Sequence, residues 1–359
     1  MTSMSQQRLC LILFALYSTA AWTENETLIQ RPFSIQTDKE VVMAIIPDSG
    51  PVELQEKKFA FDWNHHETIA DNKLRLLEEE QFLSTIDDIS KLTPDDQEAL
   101  GMLFFKLGAY YIHVLYEPDL AIMKLAMANI LLTHVDAKIW SQNHLGYAYA
   151  EKYAQQPIKE NKERAMYYAN KVITTLTPTP HASDKSPAFD KPNEPLAFAY
   201  AVKGLMQSNL KQYTRAEKNF RAALALHEKL TDGKDDQYAL IKNELADTLL
   251  KQSQPTHYSE ALSLLKDVKK YWSQKGNLTN DPYAAVNLIS LGQAYLKMGK
   301  SKAALHEFKT AILIYKNFYG EKSILLTKPY QLLAKAYKSL GNVNRAAAYE
   351  HKANALRNA

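Results

Sequence analysis

The sequence predicts an all-α chain, a solenoid of stacked helix pairs, on three observations. Apolar residues recur at helical spacing in paired blocks, small residues recur at one place within the blocks, and the paired pattern itself repeats along the chain. The clearest pair runs from Asp281 to Tyr319. Val286, Ile289, Ala294 and Tyr295 mark its first helix and Ala304, Phe308, Ala311 and Ile312 its second, with a tight turn at Met298-Gly299-Lys300. Asp281 is placed to cap the first helix, because its carboxylate accepts orphan amide hydrogens, and Pro282 takes the first helical position, where no donor is lost. Gly292 and Ala304 lack bulk and let two backbones approach, while Leu291, Tyr295 and Phe308 fill the space around them.

The chain has 359 residues, 46% hydrophobic and 23% charged, enough to bury one large core or several small ones in a row. A formal net charge of +3 gives too weak a field to argue for nucleic acid or an anionic membrane surface as partner. Residues 1–21 read as a cleaved signal peptide, with Arg8 as positive flank, an apolar run from Leu9 to Tyr17, and small residues from Ser18 to Ala21. That run is too short for a membrane anchor, so no stable membrane insertion is expected after cleavage, and the protein should be periplasmic or extracellular. Cys10 leaves with the leader, which removes disulfides, thiolate catalysis and cysteine zinc sites from the mature chain. Residues 22–66 form an irregular extension. Within it, Lys39 to Ile46 reads either as a short extended segment ended by Pro47-Asp48-Ser49-Gly50-Pro51 or as part of a disordered leader.

Residues 67–176 hold a cap helix and irregular repeats. The cap is expected over Glu67 to Ile89, with Ile69, Leu76, Leu77, Phe82, Leu83, Ile86 and Ile89 on one face. Thr93-Pro94-Asp95-Asp96 starts the next helix, with Thr93 as cap and two acids against the helix dipole. The paired pattern then appears at Leu107-Gly108 with Tyr111, Ala121 and Leu125, and again at Leu145-Gly146 with Tyr149, Ala165 and Ala169. Five prolines between Thr177 and Pro195 stop any helix there, as a loop on a continuous superhelix or as a hinge. Residues 196–359 are the regular array. Its copies are Gly204 with Ala216, Phe220 and Ala223; Leu245-Ala246 with Ala261, Leu265 and Val268; the central pair; and Leu333-Ala334 with Tyr337, Gly341 and Ala346.

At Leu291-Gly292, Tyr295, Ala304, Phe308 and Ala311 the central pair resembles a tetratricopeptide repeat (TPR). Gly204 to Ala246, and Gly292 to Ala334, are 42 residues apart, which resembles the repeat subtype of kinesin light chains, with Tyr319-Gly320-Glu321 at that subtype's junction. The resemblance implies a right-handed α-solenoid of about six TPR-like helix pairs with an N-terminal cap helix. It also implies a concave groove lined by the first helices. The family's groove positions fall on Trp140, Asn143 and Tyr147 in the second copy, and on Phe198, Leu205 and Asn209 in the third. They fall on Asn243, Asp247 and Lys251 in the fourth, Ile289, Gln293 and Lys297 in the fifth, and Lys328, Gln331, Lys335 and Lys338 in the sixth. Asn and Gln can bond a peptide backbone while Tyr and Trp supply apolar contact, so the expected ligand is a protein or peptide. The carboxylate clamp of chaperone-binding repeats is not reproduced, because Leu332 stands where its last Arg would be.

No Gly-rich phosphate loop, GxSxG elbow or HExxH helix is present, so no catalysis and no cofactor are expected. His65-His66-Glu67 reads as a helix-start loop rather than a metal site, and His144 could sit near His113 across neighbouring repeats as a satisfied or solvated imidazole. Asn25-Glu26-Thr27 and Asn277-Leu278-Thr279 match glycan acceptors. The expected activity is that of an exported, non-catalytic interaction scaffold. The alternative is a peptide-sensing regulator whose array changes curvature on binding. Partner identity and oligomeric state are not written in the sequence.

Overall fold

The computed structural model describes residues 79–86, 88–177, 193–231, 235–276 and 281–357. They fall within one unit of the chain, residues 53–359. The leader, the 22–66 extension, His65-His66-Glu67, both glycan matches and most of the proline-rich stretch lie outside the described residues.

Among the described residues, twelve helices follow the first capping turns: α1 (Pro94–His113), α2 (Pro118–Leu131), α3 (Val135–Gln155), α4 (Lys159–Leu176), α5 (Glu194–Asn209) and α6 (Tyr213–Thr231). The second half comprises α7 (Asp236–Gln252), α8 (Pro255–Gln274), α9 (Pro282–Lys297), α10 (Ser301–Tyr319), α11 (Thr327–Ser339) and α12 (Val343–Arg357). They pair in order into six hairpins, α1/α2 through α11/α12. Starts are written in the sequence: Thr93, Asn193, Asp235 and Asp281 each accept a first-turn amide hydrogen, and Pro opens α1, α2, α8 and α9. Between α9 and α10, Gly299 takes φ +73°, and the Lys300 amide bonds the Tyr295 carbonyl at 2.8 Å, closing the turn.

The small residues do what their spacing predicts. A Cβ on Gly292 would stand 2.4 Å from Phe308, and one on Gly108 would stand 2.5 Å from Leu125, so these two hairpins cross at a distance that only glycine permits. Ala246 and Ala334 occupy the corresponding places in the fourth and sixth hairpins and are buried.

Each first helix also packs on the next first helix, α1 on α3, α3 on α5 and so on to α9 on α11, whereas the second helices do not meet one another to the same degree. The array therefore curves with its first helices inside. Polar side chains bridge the seams. Asn143 Nδ2 donates to the Pro195 carbonyl at 2.8 Å, Asn209 Nδ2 to the Ala150 carbonyl at 3.2 Å, and Asn287 Nδ2 to Asn243 Oδ1 at 3.2 Å.

The curvature brings the array back on itself. Phe318, at the end of α10, is buried in the same cluster as Leu100, Leu103, Leu107 and Tyr110 of α1, and Tyr319 packs against that cluster. Tyr116, held at φ 56° in the turn after α1, meets the Tyr319 ring edge-on at 6.2 Å.

The cap helix ends earlier than expected. Its last described helical residue is Leu83, because Ser84 and Thr85 turn their hydroxyls onto the carbonyls of Gln81 and Phe82, at 2.6 and 2.7 Å. A separate 3-10 turn, Ile89–Lys91, follows and is capped by Asp88. The apolar positions still serve: Phe82, Leu83, Ile86 and Ile89 all cover the first hairpin.

Candidate functional site

The inner face is organised by one stripe of α3. Trp140, His144, Tyr147 and Glu151 follow at i, i+4, i+7 and i+11, so they project from one side of the helix. Neighbouring hairpins add rings. Phe198 of α5 stacks on His144 at 5.2 Å and lies 5.8 Å from Trp140, while His113 of α1 stacks on Tyr147 at 5.1 Å. His113 and His144 meet edge-on at 5.3 Å, as their places in adjacent repeats suggest.

His144 is 9% exposed, and its Nδ1 lies 2.9 Å from the Trp140 carbonyl. A carbonyl only accepts, so Nδ1 carries the proton of the neutral ring and Nε2 keeps its lone pair. Burial in this aromatic setting pushes the imidazole pKa down to about 4, against the contrary effect of the Trp140 carbonyl, so the ring is neutral at physiological pH.

Beyond Tyr147 the face becomes acidic. Enclosure raises the Glu151 pKa, opposed by the Tyr147 hydroxyl beside it and by the charge of Lys328. Glu244 of α7 is pushed up to about 7, first by desolvation and then by Asp247, with Glu151 adding to the effect and Lys251 and Lys328 opposing it. Residues from the second, fourth and sixth hairpins thus lie within each other's electrostatic reach. Tyr116 and Tyr283 of α9 belong to the same region: enclosure raises the phenol pKa of each, and the Tyr116 phenol feels Tyr283, Glu151 and Asp281.

The expected groove residues meet different fates. Trp140, Tyr147 and Phe198 stand together in the aromatic band, and Asp247 and Lys328 stand in the charged part. Asn143 and Asn243 do not line a groove; they are 0% and 2% exposed, and their amides join hairpins. Asn209 is likewise engaged in a seam, and Ile289 is buried in the core. Gln293 is half-buried. Lys297 turns to Ser253 at 3.3 Å and stands over the Tyr258 ring, so its charge is directed toward the α7/α8 hairpin. Lys335 and Gln331 border a shallow depression with Glu350 and Asn354 of α12, and Lys338 is exposed. Of the sixth hairpin's lysines, Lys328 is the one whose field acts on the interior acids.

Sequence reasoning did not identify Glu151, Tyr116 or Tyr283 as groove residues. Glu151 was readable as the continuation of the Trp140–Tyr147 stripe, but Tyr116 and Tyr283 enter only through the curvature. Among the described residues no group of three His, Asp or Glu is placed to hold a metal ion, and no helix is long and apolar enough to cross a membrane.

No family model matches the chain, and no curated protein matches it in sequence. Solved structures do match. A Rap protein complexed with competence and sporulation factor superposes with a TM-score of 0.51 over 81% of each chain at 16% identity. BtubC from P. vanneervenii covers 74% of this chain and 92% of its own, with a TM-score of 0.48 and 14% identity. The kinesin light chain TPR-like repeats of Podosopora anserina cover 60% of this chain and 96% of their own, with a TM-score of 0.44 and 16% identity. The likeness is one of fold. Six hairpins with small-residue crossings, and the likeness to the Rap structure, show a TPR-type helical-repeat fold.

Proposed function

We propose that the mature chain is an exported, non-catalytic scaffold that holds a protein or peptide partner against the inner face of its superhelix. The observation that carries this reading is the aromatic band of Trp140, Tyr147 and Phe198, half-buried rings gathered from two hairpins on the curved face. Such rings give a ligand apolar contact at little cost in side-chain entropy. The likeness to Rap, solved with a bound factor, agrees with that use of the fold. The leader around Arg8 and Leu9 to Tyr17 supports export.

The test is affinity capture from the native compartment with the mature chain and with a Trp140→Ala, Phe198→Ala variant of unchanged helicity. A partner held by the first and lost by the second is the expected result; equal retention would remove the groove from the reading. Intact mass of native protein should place its first residue at Ala21 or Trp22.

One observation favours the sensor version of this function. The contact of Phe318 and Tyr319 with the first hairpin joins the first and fifth hairpins through few residues, so a ligand that prefers another curvature has little to break. Ligand-dependent change in small-angle scattering would distinguish a sensor from a rigid scaffold.

A further inference from the structure

The interior presents several acceptors that the fold leaves open. His144 presents the lone pair of Nε2, since Nδ1 is committed to the Trp140 carbonyl and no group among the described residues bonds the other nitrogen. Further along the same face stand Glu151, Glu244 and Asp247, and the enclosed Oδ1 of Asp247 accepts no hydrogen bond.

The nearby cations act on this set from a distance. Lys251 bonds Ser208 Oγ at 3.2 Å, and neither it nor Lys328 forms an ion pair with the three carboxylates among the described residues. The rings add the same preference, because the faces of Tyr and Trp are electronegative and attract a cation. Acceptors, negative charge and π-faces together suit one kind of guest, a flat or compact cation rich in N–H donors.

We infer that the inner face receives a basic side chain of a bound peptide, arginine before lysine, with its charge among Glu151, Glu244 and Asp247 and its stem along Tyr147 and Trp140. The inference rests on the groove reading above. Arginine leads because its planar guanidinium donates in a fork that matches a carboxylate and stacks on an aromatic ring, whereas an ammonium does neither. The raised pKa of Glu244 is what a carboxylate awaiting a counter-charge should show, and a bound cation would draw it back toward the ordinary range.

The experiment is selection of short random linear peptides, displayed on phage, on the immobilised mature chain at about pH 8, where Glu244 is ionised. The comparison chains are Glu151→Gln with Glu244→Gln, and Trp140→Ala with Phe198→Ala, each checked for unchanged helicity. Enrichment of arginine over the input, with lysine second, is expected on the mature chain and should vanish on the glutamine variant. A synthetic copy of a selected peptide should bind about tenfold more weakly once its arginine is replaced by glutamine. Selected peptides without basic enrichment, yet lost on the Trp140/Phe198 variant, would overturn the cation and leave the groove. Basic enrichment that survives the glutamine substitutions would likewise overturn the assignment to these carboxylates. A chain that selects nothing, or selects equally on all three proteins, would overturn both readings.

Discussion

Asn243 and Glu244 are consecutive on α7 and meet opposite fates. Asn243 lies in a seam, bonded to Ser290 and Asn287, and every such bond ties one hairpin to the next. Glu244 lies on the inner face, crowded by Asp247 and Glu151 and drawn to distant lysines. The seam at Asn243 thus uses polar groups to satisfy polar groups, while Glu244 faces charges of its own sign. One residue of helical rotation, about 100°, separates the two regimes. A buried amide that is fully engaged stabilises the stack, while an enclosed carboxylate without a close partner weakens it and awaits a ligand.

The contact that makes the interior carries the largest expected effect. Phe318→Ala should cost about 3 kcal/mol in urea unfolding, as for loss of a buried ring, and should raise the radius of gyration in scattering. Opening without loss of stability, or the reverse, would separate the two roles of this residue.

Glu244→Gln should do the opposite and stabilise. Its folded pKa of about 7 lies above the ordinary 4.5, so the folded state binds the extra proton between those values, and stability falls as pH rises through that window. The penalty is complete above the folded pKa. The glutamine variant should therefore be more stable by about 1 to 3 kcal/mol at about pH 8 and indistinguishable from the parent at about pH 4. A gain that persists in acid would point to packing instead of charge.

Asn243→Ala should destabilise by about 1 to 3 kcal/mol because it leaves Ser290 and Asn287 without their shared partner. This loss, followed by thermal or urea unfolding, should be the same on both sides of neutrality. The smallest effect concerns the lysines. Lys328→Gln should move the titration of Glu244, followed by carboxyl NMR, further upward, because a favourable charge is lost, whereas Lys335→Gln should leave it unchanged.

Much of the fold was legible because TPR-type packing is local. Gly292 against Phe308, and Gly108 against Leu125, are neighbours within one hairpin, so spacing alone announces them. The cap helix was drawn too long because its apolar period continues past Leu83, while the hydroxyls of Ser84 and Thr85 compete for the carbonyls that would extend it. The groove was half legible. Trp140 and Tyr147 follow from the phase of α3, but Asn143 and Asn243 share the inner helices without sharing their exposed side. In the structure Lys328 of the sixth hairpin acts on Glu244 of the fourth and Glu151 of the second. That meeting depends on rotations summed over several hairpins, and no local pattern encodes the sum.

The Phe318 contact also orders events in time. Nearly every other association here joins elements adjacent in the chain, so hairpins can form and stack outward from any starting pair. Phe318 must instead find Leu107 across about 200 residues, a loop whose entropic cost is recovered only when the intervening hairpins are already stacked. The clasp should consequently be absent from the folding transition state, and Phe318→Ala should accelerate unfolding while leaving the refolding rate nearly untouched. A chain folding from its unfolded state would acquire its stacked body first and its closed interior last.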